Sequence, residues 1–325
     1  GVAVGRAGQI AWFAAADLGP STPFATATWS SPGLSAFADL GAGFALGDPG
    51  RGTVWLVPAA AGAPADPSDL ALGSFGDSEG ESNAYGTAVA AGDWDGDGVR
   101  DLAVGDPSGR DGEGLVYVEI DPLGGGSTDV QLRGESGGLG VTLGLGPLDG
   151  SGVDGLIACR SSQCERVDGG QSVDDRDVSE VSSGTIDGTG PAARPHLVDL
   201  DRDGAGDLVL AAQGEAAVWF GPLPTGATST ASADWRVSGA VGDATGAGGS
   251  LWAGLPGAAE VRSFDGTDTV AADGTVLYAG GAGSGFGGSL TDPGIVQGPD
   301  QVAIAAPDAS PNGAASGEIL GVTAP

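Results

Sequence analysis

Residues 93–118 read DWDGDGVRDLAVGDPSGRDGEGLVYV, and two signals in this stretch set the architecture. The first is a nine-residue acidic turn, Asp93–Asp101, of the form D-x-D-x-D-G-x-x-D. The second is an apolar triplet, Leu102–Val104, then Gly105, a polar turn, and a second apolar run, Leu115–Val118. Two short apolar runs separated by Gly, Asp, Ser and Pro predict a β-hairpin. Helical periodicity is nearly absent from the chain, so strands dominate the expectation.

The hairpin recurs. It reads VAVGRAGQIAWF from Val2, FALGDPGRGTVWLV from Phe44, LIACRSSQCERV from Leu156, LVLAAQGEAAVWF from Leu208, LWAGLPGAAEVRSF from Leu251 and VAIAAPDASPNGAASGEILGV from Val302. The turns are entered at Gly5, Gly47, Gly105, Cys159, Ala211, Gly254 and Ala306, about 50 residues apart, a period that several strands per copy and a β-propeller fit. A third strand follows each hairpin, as in DVQLRG at Asp129 and DWRVSG at Asp234, and another precedes most, as in GTAVAAG at Gly86 and HLVDL at His196. The expectation is an all-β, seven-bladed β-propeller of four-stranded antiparallel blades in one domain, 1–325. The blades fall near 1–30, 31–78, 79–135, 136–183, 184–239, 240–281 and 282–325. A ring hides sheet edges, which lets a Gly-rich chain be stable.

By this alignment the first and last blades are incomplete. The first copy begins with its second strand at Val2, and the last ends after its third, at residues 318–325. Three readings stay open: residues beyond the ends complete the blades, the terminal strands share one blade, or a neighbouring subunit pairs at Val2–Gly5 or Glu318–Val322. The chain opens with Gly1 and has no Met, as expected of a processed or trimmed product.

The charge balance narrows the partners. Asp and Glu number 43 against 12 Lys plus Arg, all of them Arg, for a net charge of −31. Such a surface repels phosphate backbones, so nucleic acid is excluded as a partner class and cations are favoured. The 64 glycines follow no G-X-Y period, which excludes collagen. No run of about 18 apolar residues occurs, so a membrane-spanning helix is not expected.

The acidic turn occurs twice in full. Asp93, Asp95, Asp97, Gly98 and Asp101 are matched by Asp199, Asp201, Asp203, Gly204 and Asp207 in DLDRDGAGD. Alternating Asp residues aim carboxylates into one concave turn, the glycine permits the bend, and the backbone carbonyls of Val99 and Ala205 add a neutral oxygen. Hard oxygen donors in this number suit Ca²⁺, and without a cation four clustered carboxylates repel one another. Two Ca²⁺ sites are therefore expected. The copy PLDGSGVDG keeps only Asp149 of the acidic positions, with Pro147, Ser151 and Gly155 at the others, and is expected to bind no metal. Asp292 and Asp300 stand in a differently spaced loop whose metal binding stays open.

The acidic loop followed by LAVGDP, with AYG at Tyr85 and GFGG at Phe286, resembles the FG-GAP repeat of integrin α-subunit β-propellers, which bacterial surface proteins also carry. The resemblance covers essentially the whole chain. It implies a seven-bladed ring, Ca²⁺-stabilised adhesion and protein recognition, and a place outside the cell or on its surface. It also implies that the metal loops lie on the face opposite the hairpin turns. On the face of the hairpin turns and blade-to-blade connections, away from the metal loops, the longest loops adjoin one another: 76–83, with Asp77, Glu79 and Glu81, and 106–113, with Asp106, Arg110 and Asp111; they form the expected contact surface.

Other residues are read beside these. Cys159 and Cys164 flank the turn RSSQ, where opposed strand residues come within disulfide reach. A redox or metal pair is the alternative, but it lacks CxxC spacing. A disulfide would imply an oxidising compartment. His196, the single histidine, is expected to pack rather than catalyse. Trp12, Trp55, Tyr117 and Trp219 repeat at one place on the second hairpin strand, which predicts packing between blades. Trp94 breaks this pattern and is the one clear exposed aromatic for a second reading, a carbohydrate-binding propeller. A glycan-acting enzyme is the third; one His, no Lys and no coherent triad argue against it.

Overall fold

A computed structural model describes residues 2–6, 9–13, 22–23, 29–32, 34, 36–58, 67–69, 71–76, 84–190, 193–247, 250–255, 258, 260–265, 275–279, 289–291, 301–306 and 318–323. The fold is all-β, and among the described residues the helical segments are short turns such as Gly109–Gly112 and Val178–Val181. Each repeat becomes a small antiparallel sheet whose strands follow one another in chain order. The stretch read first forms Ala88–Gly92, Asp101–Asp106, Leu115–Ile120 and Ser127–Arg133. The next sheet orders Thr142–Pro147, Asp154–Cys159, Gln163–Val167 and Gly184–Asp187. Gly184–Asp187 thus ends this sheet, although the sequence spacing puts it at the start of the following repeat.

Four-stranded sheets follow at Arg194–Ser238 and Asp243–Ala279, and another lies upstream, built from Ala36–Asp39, Gly43–Asp48, Thr53–Pro58 and Gly73–Gly76. The first strands of successive sheets lie side by side: Ala36–Asp39 against Ala88–Gly92, then Thr142–Pro147, Arg194–Val198, Asp243–Ala247 and Ser289–Thr291. They form the inner wall around which the sheets are arrayed.

The core lies between sheets. Leu102 and Val104 join Ala45, Val54 and Leu56 of the preceding sheet in one cluster. Ala103, the residue between them, joins Leu143, Leu145 and Leu156 of the following sheet. Alternate residues thus face opposite neighbours, and Asp101–Asp106 is buried along its whole length. This is why the second strands read as apolar runs rather than as an apolar–polar alternation. Glycine sets the spacing where hairpins abut. A Cβ on Gly105 would lie 2.1 Å from the Gly140 carbonyl oxygen of the next sheet, and one on Gly47 would lie 2.0 Å from that of Gly86.

Two features depart from four-stranded regularity. Val173–Asp177 leaves its own repeat and pairs in parallel with Ser127–Arg133, the outer strand of the preceding sheet. Gly226–Ser229 does the same to Gly184–Asp187. Each covers an outer edge that would otherwise be bare. Arg133 ties the first of these straps down through Asp175 and Asp177, at 3.3 and 3.2 Å.

The terminal sheets settle one expectation. Glu318–Thr323 pairs with Gln301–Ala306 on one side and, at Glu318 and Ile319, with Thr22–Pro23 on the other. The last sheet therefore takes its outer strand from the beginning of the same chain. A donated strand from another subunit is not needed at Glu318–Ile319, because the chain itself occupies that edge. The first sheet has three described strands, Val2–Arg6, Gln9–Phe13 and Trp29–Pro32.

Candidate metal centres

Both acidic loops connect the first strand of a sheet to the second. In the first loop, carboxylate oxygens of Asp93, Asp95 and Asp101 lie within 4.8 Å of one another; in the second, those of Asp199, Asp201 and Asp203 do. The two loops are wound alike. The Asp97 N–H donates to Asp95 Oδ1 at 3.1 Å and the Val99 N–H to Asp97 Oδ1 at 2.7 Å. In the second loop the Asp203 N–H donates to Asp201 Oδ1 at 3.2 Å and the Ala205 N–H to Asp203 Oδ1 at 2.7 Å. The Gly98 and Gly204 N–H groups close back onto Asp93 and Asp199, at 2.9 and 3.2 Å. Both glycines have left-handed backbones, φ 87° and 90°, which side chains resist.

The closing aspartates do different work from the others. Asp101 is 1% exposed and Asp207 is 0%. Asp101 Oδ2 accepts the N–H groups of Trp94 and Asp95, and its Oδ1 accepts that of Asp121. Asp207 accepts those of Leu200, Asp201 and Gly221 in the same pattern. Burial pushes both carboxyls above the ordinary range, with the backbone donors opposing it. Asp97 and Asp207 stand outside the two converging trios, though each hydrogen-bonds within its loop. The donor set is all hard oxygen, which fits Ca²⁺ or another hard divalent ion.

The third copy has gone another way. Asp149 Oδ1 accepts the Ser151 N–H at 2.9 Å, but Gly155 occupies the closing position. Its neighbour Asp154 reaches the preceding sheet, where its Oδ2 accepts the Asp93 N–H at 2.8 Å. Asp292 and Asp300 lie outside the described residues.

Trp94 is not exposed. It is fully buried between the two sheets, its Nε1–H donating to the Gln171 carbonyl at 3.1 Å and its own carbonyl accepting the Gly170 N–H at 2.7 Å. A large apolar side chain gains more from this crevice than from a solvated loop, and so the aromatic offered for sugar binding is removed. Tyr117 and Trp219 do pack between sheets, Tyr117 against Tyr85 at 5.4 Å between ring centres. Trp55 is half-buried, with its Nε1–H on Asp48 at 3.4 Å. The side chain of Trp12 is outside the described residues. His196 sits on an inner strand with Nε2 3.4 Å from Asp243, which also pairs with Arg194 at 3.1 Å.

The expected contact surface changes as well. Asp106 is fully buried and accepts the Gly109 N–H at 3.1 Å, so it serves the hairpin turn and not a partner. Arg110 is half-buried and engaged by Asp175, at 3.0 and 3.1 Å. Asp111 is exposed. Asp77, Glu79 and Glu81 lie outside the described residues. Cys159 and Cys164 are opposed in register and bonded to each other.

The array of sheets around a common inner wall is matched among solved structures. The Dos1 propeller is similar over 97% of this chain and 72% of its own, with a TM-score of 0.51 and 9% identity. The chain is a β-propeller. At that identity the likeness speaks for the fold alone. Sqt1 of Chaetomium thermophilum, solved bound to the N-terminus of ribosomal protein L10, shares 13% identity at a TM-score of 0.48, over 85% of this chain and 70% of that one. A chain of the ctPRC2 complex shares 12% at 0.45, over 75% and 50%. No family model and no curated protein matches the sequence. Among the described residues no helix of this propeller is long and apolar enough to cross a membrane.

Proposed function

We propose that this propeller is a seven-bladed, FG-GAP-type ring that holds two Ca²⁺ ions, acts outside the cell or at its surface, and mediates adhesion or protein assembly. The observation that carries the reading is that two acidic loops in different sheets share the same backbone-to-carboxylate hydrogen bonds and each converges three carboxylates. Asp93, Asp95 and Asp101 would hold one ion and Asp199, Asp201 and Asp203 the other, with the Val99 and Ala205 carbonyls and the remaining aspartates as further oxygen donors. A bound ion supplies charge neutralisation, because each loop otherwise concentrates like charges on a chain of net charge −31. The Cys159–Cys164 bond supports an oxidising compartment.

A protein partner is favoured over a glycan by the burial of Trp94. The immobilised chain is expected to capture intact cells or a purified surface protein in Ca²⁺ and to release them in chelator, while a glycan array stays blank. Strong glycan-array signals would support the lectin reading instead. Cell capture indifferent to chelator would contradict a calcium-dependent adhesive role.

A further inference from the structure

We propose that Asp154 is a positioning residue for the 93–101 loop, holding that loop in ion-ready shape from the neighbouring sheet; this rests on the calcium reading of the loop. Asp154 is not one of the converging carboxylates. It begins the second strand of the next sheet, Asp154–Cys159. Its Oδ2 accepts the Asp93 N–H and its own N–H donates to the Asp93 carbonyl, both at 2.8 Å. The backbone of Asp93 is thus gripped on both sides from 61 positions away. The grip depends on a close approach: a Cβ on Gly92 would lie 2.6 Å from Asp154 Oδ2.

The sequence of its own copy fits this placement. In PLDGSGVDG the closing acid of the motif is replaced by Gly155, and an acid stands one position earlier. A one-residue shift in an extended segment turns a side chain to the opposite face. Asp154 accordingly faces the preceding sheet, where it serves that sheet's loop instead of its own. Trp94, buried next to Asp93, and Arg100, whose Nη1 donates to the Asp39 carbonyl at 3.0 Å, anchor the same loop to the sheets on its two sides. The ion at 93–101 would therefore be coupled to the seams between three sheets. Partners that orient metal ligands without touching the ion typically matter 10–100-fold in affinity.

The test uses the full chain with Asp199, Asp201 and Asp203 changed to Asn, so that only the first loop binds. Ca²⁺ affinity is measured by competition with a chromophoric chelator. Asp154→Ala is expected to weaken it about 10–100-fold. Asp154→Asn, which can still accept the Asp93 N–H, should stay within about three-fold, while Asp154→Glu, which keeps the charge but moves the oxygen, should be as weak as Ala. Circular dichroism checks folding; if the Ala variant does not fold, the Asn and Glu pair decides. Parental affinity in Asp154→Ala, or Glu binding better than Asn, would overturn the positioning role alone. Absence of Ca²⁺ binding by the parental background would overturn the calcium reading and this proposal with it.

Discussion

Asp101 and Asp207, 0–1% exposed in two different sheets, each staple an acidic loop to the turn after the third strand, through the N–H groups of Asp121 and Gly221 at 3.0 and 2.7 Å. Each carboxylate accepts three backbone N–H groups. Asp101→Ala or Asp207→Ala should therefore destabilise the chain by about 3 kcal/mol even without calcium, since bonds to a charged acceptor are lost and buried donors are orphaned. Urea unfolding in chelator checks this; a midpoint within error of the parent would contradict it.

The same two carboxyls give a pH dependence. Burial raises both above the ordinary value of 3.8. In the folded chain they keep their protons over a range where the unfolded chain has lost them. Their contribution to stability is greatest at low pH, falls as pH rises from 3.8 through the folded values, and levels off above. The stability gap between the parent and the Asp101→Asn/Asp207→Asn variant, measured in chelator between pH 4 and 7, should shift against the parent as pH rises. A gap that is flat or moves the other way contradicts the assignment.

Gly105→Ala tests how the sheets abut. The added methyl would meet the Gly140 carbonyl oxygen at 2.1 Å, and both partners are backbone, so neither can swing aside. A loss of about 3 kcal/mol or more is expected. Gly98→Ala is a useful contrast: no atom lies within 4 Å of its Cβ, and only its φ of 87° resists, for about 1–2 kcal/mol. Equal losses for the two, read by thermal melts, would contradict the packing account.

Much of this architecture was legible in the sequence for a local reason. Hairpins are built from contiguous residues, so LAVGDPSGRDGEGLVYV announces its own pairing, and Leu102 opposes Glu119 as the spacing implies. The acidic loops were legible because alternating Asp with a fixed Gly is a local pattern too. What escaped was non-local. VDDRD at Val173–Asp177 and GATS at Gly226–Ser229 show no apolar alternation, because they lie as parallel straps on a neighbouring sheet. Thr22–Pro23 is too short to signal a strand, yet it closes the last sheet. The burial of Trp94 and Asp106 and the reach of Asp154 depend on which sheets stand side by side, which no window of sequence contains.

Closing a short loop, the Cys159–Cys164 bond should add about 2 kcal/mol through the reduced freedom of the unfolded chain. Thiol labelling of natively purified chain should find no free cysteine, and reduction should lower the unfolding free energy obtained from urea melts by that amount. Two free thiols by intact mass would reject the bond.

The central claim is that the two acidic loops hold calcium, and titration calorimetry on the metal-free chain tests it most directly. The account predicts two Ca²⁺ per chain, one lost in Asp95→Ala and the other in Asp201→Ala, together with a melting temperature that rises with Ca²⁺ because the ion binds only the folded state. No heat of binding, with melting unchanged by Ca²⁺ or chelator, would contradict it.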